Sequence, residues 1–400
     1  MSVPSKPHIV IAGAGPVGLT LALLLGSKDI RVTVLEAEEK VSEELRASTF
    51  HPPTLDMLAP YGVTDLMLAA GLICPTWQVR LHPSGDRAVF DLAALAGETD
   101  HPYRLQCEQS TYSQIVLAAL ATTPSVEVLF STTVTAVRQS ADSVEVDATA
   151  SGERRVFAAT YAVGADGARS AVRKSLGIEL SGDIYPETTI LATTLFPFHH
   201  RLEGLSNVSY CWKPGGTFSL LRLPDVWRAS LYARDDQTIE QALTDAGLRS
   251  LLDDIVPGAN IQVLERRPYR IHRRLAARYR EGRVFLAGDA AHLNSPSGGM
   301  GMNGGIHDAF NLAEKLIAVL QDGADERLLG RYERQRRPIA EEEIIQQSHK
   351  NRTRMQERDP MKRLELLADL QRTAADPVKL KAYLLKTSMI EGLRRAAATE

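Results

Sequence analysis

The stretch Gly13-Ala14-Gly15-Pro16-Val17-Gly18 decides the fold of this 400-residue chain. An apolar run, His8-Ile9-Val10-Ile11-Ala12, precedes it, and a helix-forming run, Leu19-Thr20-Leu21-Ala22-Leu23-Leu24-Leu25, follows. A second strand pattern, Arg31-Val32-Thr33-Val34-Leu35, then ends at the acid Glu36. Strand, glycine turn, helix, strand and acid, in that order, specify a dinucleotide-binding unit. Gly13 permits the tight turn, Gly15 removes a Cβ from the path of a pyrophosphate, and Gly18 lets helix approach strand. The helix N-terminus offers free N–H groups and partial positive charge to phosphates. Glu36 is placed to accept from the hydroxyls of an adenosine ribose.

The bulk composition restricts the rest. With 44% hydrophobic and 24% charged residues and a net charge of −3, the chain has an ordinary soluble composition. It is long enough for two domains. Near-neutral charge argues against nucleic-acid binding. The pairs Arg266-Arg267 and Arg273-Arg274 read as solvated faces or anion contacts. Cys74, Cys107 and Cys211 have neither metal-ligand nor redox spacing, so no metal is expected and a reduced, cytoplasmic setting is. Lys6 precedes an apolar run broken by Gly13, Gly15 and Pro16, which reads against a signal peptide, and no run reaches membrane-span length.

Periodicity divides the chain. Residues 1–180 read as α/β, with 75–103 as strands and loops inserted into that first domain. Residues 181–275 alternate with period two, as in Thr217–Arg222 and Trp227–Tyr232, and read as an antiparallel sheet covered by a helix over about 238–255. The strand Arg283-Val284-Phe285-Leu286-Ala287 returns to the first domain, and a helix is expected from Gly305 to Leu320. The cofactor domain is therefore discontinuous, 1–180 plus 276–340, around a sheet domain 181–275, with a helical segment over 341–400.

Two further segments carry chemistry. Gly288-Asp289 closes the late strand, where ligands of open α/β sheets bind, and Asp289 is suited to polyol hydroxyls. The loop after it holds Pro296, Gly299, Gly301, Met302 and Asn303 ahead of a helix whose N-terminus suits negative charge on a ring system. Ala165-Asp166-Gly167 ends a middle strand, and Arg173 follows it.

Together these segments resemble the class A flavoprotein monooxygenases, the aromatic hydroxylases typified by para-hydroxybenzoate hydroxylase. The resemblance covers nearly the whole chain. It implies a Rossmann-like FAD-binding domain with an antiparallel substrate sheet, and FAD as cofactor. Gly13, Gly15, Pro16, Gly18 and Glu36 would take the ADP part, and Gly288 and Asp289 the ribityl chain and pyrophosphate. Asp166 and Arg173 would serve FAD and the nicotinamide donor. Arg46 resembles the family arginine at the pyrophosphate, and Gln106 a glutamine reaching the flavin from a helix start. Pro296 resembles the loop proline beside the reacting carbon. Tyr332-Glu333-Arg334-Gln335-Arg336-Arg337-Pro338 resembles a late structural helix motif.

The implied reaction is hydroxylation of a small phenolic or heteroaromatic substrate with O2 and NADPH or NADH as transient reductant, through a flavin hydroperoxide. No second strand-based glycine motif is present, so no dedicated nicotinamide domain is expected. Candidate substrate contacts are His51, Tyr210, Trp212, Arg222 and Tyr232, each of which also reads as ordinary core or surface. A related epoxidase or reductase, or a flavin-binding protein without turnover, remains an alternative; halogenation does not, because Trp77, Trp212 and Trp227 lack the halogenase motif. A monomer or homodimer is expected.

Overall fold

The computed structural model describes residues 7–400; Lys6 and the rest of the first six residues lie outside the described residues. A six-stranded sheet carries the nucleotide loop. Its order is Arg280–Glu281, Val284–Leu286, Tyr161–Gly164, His8–Ala12, Arg31–Leu35 and Val126–Leu129. All neighbours are parallel except the edge pair Arg280–Glu281 with Val284–Leu286. The central strand His8–Ala12 is buried throughout, as expected of a parallel strand covered on both faces. The helices Pro16–Gly26 and Met300–Leu320 pack against each other, bringing the two ends of the cofactor domain together.

The second sheet has eight strands, in the order His292–Leu293, Glu265–Ala276, Leu180–Thr194, Trp227–Tyr232, Gly216–Arg222, Val208–Lys213, Thr76–Leu81 and Arg87–Asp91. Its pairings are antiparallel except between Val208–Lys213 and Thr76–Leu81. The hairpin 76–91 therefore extends this sheet, whereas the sequence reading put 75–103 in the first domain. Loop length explains the difference: a short Pro/Gly-bounded hairpin carries no local mark of the sheet it joins. Thr76–Leu81 is buried at its four central positions against the tail helices and Val208–Lys213.

Other elements also differ in detail. The expected helix over 238–255 is two, Ile239–Ala242 and Asp245–Asp253, each with its own threonine cap. The helix expected from Gly305 begins at Met300, because Gly301, Gly304 and Gly305 serve close packing rather than helix breaking. A Cβ on Gly305 would come within 2.6 Å of Val17 on the first helix. Beyond residue 340, a π-helical turn Ala340–Ile345 leads into the helices Gln346–Met355, Pro360–Ala375, Pro377–Thr387 and Ile390–Ala398. These pack on the outer end of the eight-stranded sheet, with Leu367, Leu370, Leu384 and Ile390 joining Trp77, Phe90 and Trp212 in one core. The three cysteines are buried and free, and burial pushes each thiol up to about 12, which makes them inert. Among the described residues no helix is long and apolar enough to cross a membrane.

Candidate active site

The nucleotide loop is built from steric needs. Gly13 sits at φ 101°, a left-handed conformation that L side chains rarely adopt, and its N–H donates to the carbonyl of Leu35 at 2.8 Å. Gly15 caps the first helix without any side-chain hydrogen bond, so the terminal amides remain available. A Cβ on Gly15 would meet nothing within 4 Å. The sequence thus leaves open space beside uncapped, positively polarised amides, which fits a pyrophosphate. Glu36 accepts from the Ala14 N–H at 2.6 Å and the Glu38 N–H at 3.0 Å, which holds its carboxylate at the loop.

Gly288 closes over this loop. Its N–H donates to Asp308 at 3.1 Å, and a Cβ there would lie 2.7 Å from Val17. Asp289 faces outward and is exposed, yet desolvation pushes its carboxyl up against the opposing pull of His292, Arg46 and His272. An exposed group that is also desolvated lies on the floor of a cleft. Tyr269 shares that cleft: burial, and then Asp289, push its phenol up to about 12 against Arg46 and Arg267. Arg46 itself is half exposed and pairs with Glu44 at 2.9 Å. A polyol and a diphosphate along this cleft would meet Asp289 as acceptor and Arg46 as cation, so the donor set fits FAD.

Several predicted cofactor residues are engaged with the protein. Asn303 is saturated: its amide oxygen accepts from the His51 N–H and the Thr54 hydroxyl, and its nitrogen donates to the carbonyls of Thr49 and Gly299. It clamps residues 49–54 onto the long helix. Gln106 lies on the strand Arg104–Gln106 rather than at a helix start, because pairing with Thr49 and Leu72 carries the extended chain to that point. Its amide bridges Ser48 and Thr49. Asp166 caps the helix Ala171–Ser175 through one oxygen; the other, Oδ1, is unpartnered. Arg173 turns inward and donates to the carbonyls of Ala290 and Ala168, tying the middle motif to the late one. Gly299 caps the long helix with no side-chain partner, Gly301 approaches Asn294, Met302 is buried, and Pro296 is exposed in the turn closed by Gly299 N–H to its carbonyl.

Beneath the Gly299 loop lies a small, partly open cavity. Ser297 and Gly298 form one wall, Trp77 and Tyr210 of the large sheet another, and Tyr383 with Arg354 of the tail a third. Trp77 stacks on Phe90 at 4.2 Å, and Tyr383 on Phe90 at 4.9 Å, so the aromatic walls are fixed by packing. Of the five predicted substrate residues, Tyr210 lines this cavity. His51 stands behind it, donating from Nε2 to the Gly298 carbonyl at 2.8 Å. Trp212 is fully buried and donates to the Arg354 carbonyl at 3.1 Å, holding the tail in place. Arg222 and Tyr232 lie elsewhere on the sheet, beside Trp227 and Thr189 respectively. Arg104, Trp77 and the tail residues were missed. A charged Arg104 in the run Leu105-Gln106-Cys107 was the one local signal.

A Rossmann-type loop joined to a second glycine loop above an aromatic-walled cavity defines a flavin-dependent hydroxylase. Comparison with known proteins agrees: residues 6–348 match the FAD binding domain family. The chain is 34% identical over 397 residues, 96% of each sequence, to para-nitrophenol 4-monooxygenase of Pseudomonas sp. (strain WBC-3). It is 33% identical, over 83% of this chain and 84% of the relative, to 6-hydroxy-3-succinoylpyridine 3-monooxygenase of Pseudomonas putida. Its fold superposes on the crystal structure of p-nitrophenol 4-monooxygenase from Pseudomonas putida DLL-E4 with a TM-score of 0.90 at 33% identity, covering 97% and 98% of the two chains. The chain belongs to the class A FAD-dependent aromatic monooxygenases.

Proposed function

We propose that this enzyme hydroxylates a monocyclic phenol or hydroxylated heteroarene as a single-component enzyme that takes electrons from NADH or NADPH. The observation that carries the reading is the cavity under the Gly299 loop, whose Trp77, Tyr210 and Tyr383 walls offer aromatic faces to a ring. Relatives named for a nitrophenol and a hydroxypyridine support the same size class. Bound FAD supplies reductive oxygen activation; one oxygen atom enters the ring and the other leaves as water.

The protein's part is to hold the ring and exclude water. Gly13–Gly18, Glu36 and Arg46 would take the ADP portion, and Asp289 the ribityl chain. The uncapped helix end at Gly299 would stabilise negative charge on the reduced ring. The buried free thiols support a reducing, cytoplasmic setting.

The test is anaerobic reduction of the FAD-loaded enzyme by NADH and by NADPH over a panel of phenols, hydroxybenzoates and hydroxypyridines. A substrate is expected to accelerate bleaching and, in air, to give a product about 16 mass units heavier. Bleaching unaffected by every arene would defeat the reading.

A further inference from the structure

Every charged side chain taken out of water needs a partner. The buried arginines of this protein obey that rule with one exception among the described residues. Arg228 pairs with Glu108, Arg336 with Asp308 and Arg352 with Glu187. Arg80, Arg173 and Arg363 donate to backbone carbonyls. Arg104 is 2% exposed, and its Nε and Nη1 have no hydrogen-bond partner. Its guanidinium lies 4.9 Å over the Trp77 ring and lines the cavity.

The cavity contains a second guanidinium, that of Arg354. It is held by Tyr383 at 3.2 Å and Asn351 at 3.4 Å, and its Nε is also unpartnered. No carboxylate lines the space. His51, beside Arg104, contributes no negative charge; its Nε2–H is committed to the Gly298 carbonyl. Two cations and no anion line this aromatic-walled cavity.

We propose that Arg104, assisted by Arg354, is the counter-ion for an anionic oxygen carried by the substrate ring, so that the cavity selects arenes bearing a phenolate or a carboxylate. The assignment rests on the cavity being the substrate site. A guanidinium presents two parallel donors to such an oxygen, and Trp77 beneath it keeps the fork flat and oriented. Arg104 thereby sets specificity and ring orientation.

The FAD-loaded enzyme is titrated with two isosteric pairs, benzoate against benzamide and 4-nitrophenolate against 4-nitroaniline, following perturbation of the flavin spectrum. In at least one pair the anion is expected to bind about 10- to 100-fold more tightly, and Arg104→Met to abolish the preference. The pair that responds tells phenolate from carboxylate. Equal binding of both members by the unaltered enzyme overturns the proposal, as does equal weakening of both members in the variant. If Arg104→Met does not retain flavin, Arg104→Gln carries the same comparison, and an unchanged preference there also overturns it. Charge preference without arene-stimulated flavin reduction would leave the anion site standing and defeat the hydroxylase reading. Hydroxylation without charge preference would do the reverse.

Discussion

The carbonyl oxygen of Gly13 occupies the place where a side chain on Gly18 would start; a Cβ at Gly18 would overlap it. Three residues earlier, at Gly15, the same addition meets empty space. The two glycines therefore answer to different demands, one internal and one external. Gly18→Ala is expected to lose soluble folded protein, since backbone must shift to admit the methyl. Gly15→Ala is expected to fold with an unchanged apoprotein melting temperature and to bind FAD about 10- to 100-fold more weakly. Differential scanning fluorimetry with and without FAD reads both, and a stable Gly18→Ala holoenzyme would refute the steric argument.

Acid sensitivity should come from two histidines. Burial drives His51 down to about 3, helped by Arg104, and His307 down to about 3, helped by Arg336. In the unfolded chain both titrate near 6.5. The unfolded state therefore binds protons first as the pH falls, and stability drops between about pH 6.5 and 3. The loss is about 1.4 kcal/mol per histidine per pH unit. Urea melts at pH 7, 6, 5 and 4 are expected to show this slope, and His307→Asn to reduce it by about one proton. A slope identical in the variant would show that His307 is not the group responsible.

Asp308 is the junction of the late glycine motif. It is fully buried and accepts from Arg336 Nε at 2.7 Å, His292 Nε2 at 2.8 Å and the Gly288 N–H at 3.1 Å. Burial opposes its charge, but Arg336 and His292 outweigh that and hold its pKa below the usual carboxylate range. Asp308→Ala leaves Arg336 buried without a counter-ion, holding only the Gly304 carbonyl, and is expected to cost about 3–5 kcal/mol. The double variant with Arg336→Met should recover part of that loss. Denaturant unfolding measures both, and no recovery in the double variant would mean that the pairing is not the source of the cost.

Tyr383 closes the cavity from the tail, stacked on Phe90 and donated to by Arg354. Tyr383→Ala should destabilise by about 3–5 kcal/mol and enlarge the cavity by most of a ring. The expected kinetic signature is a raised KM for single-ring substrates and new acceptance of a bicyclic phenol such as a naphthol. A variant with unchanged substrate range would remove the tail from the specificity wall.

The nucleotide loop was legible because its requirements are local: six consecutive residues fix turn, cap and approach, and Glu36 follows one strand later. The place of Asp289 was legible for the same reason, as it follows a strand next to a glycine. The cavity was not. Trp77, Arg104, Ser297, Arg354 and Tyr383 are scattered over more than half the chain and meet only through tertiary packing. Tyr210 was nominated for its place on a candidate strand of the sheet, and the same ground nominated Arg222 and Tyr232, since a place on a strand gives neither the face of a residue nor its distance from the site. Asn303 sits where a cofactor residue was expected, but its four hydrogen bonds go to Thr49, Gly299, His51 and Thr54, a saturation that sequence spacing does not disclose.

The hairpin 76–91 sits at the far end of a sheet whose other strands come from 180–293, in parallel register with Val208–Lys213. Recombination between relatives would have to respect that interleaving. A crossover that exchanged residues 181–275 alone would import a sheet missing its Trp77 hairpin and abutting a foreign tail. Chimaeras built to trade selectivity must therefore move three separate stretches at once, the hairpin, the middle block and the terminal helices, or inherit a mismatched seam.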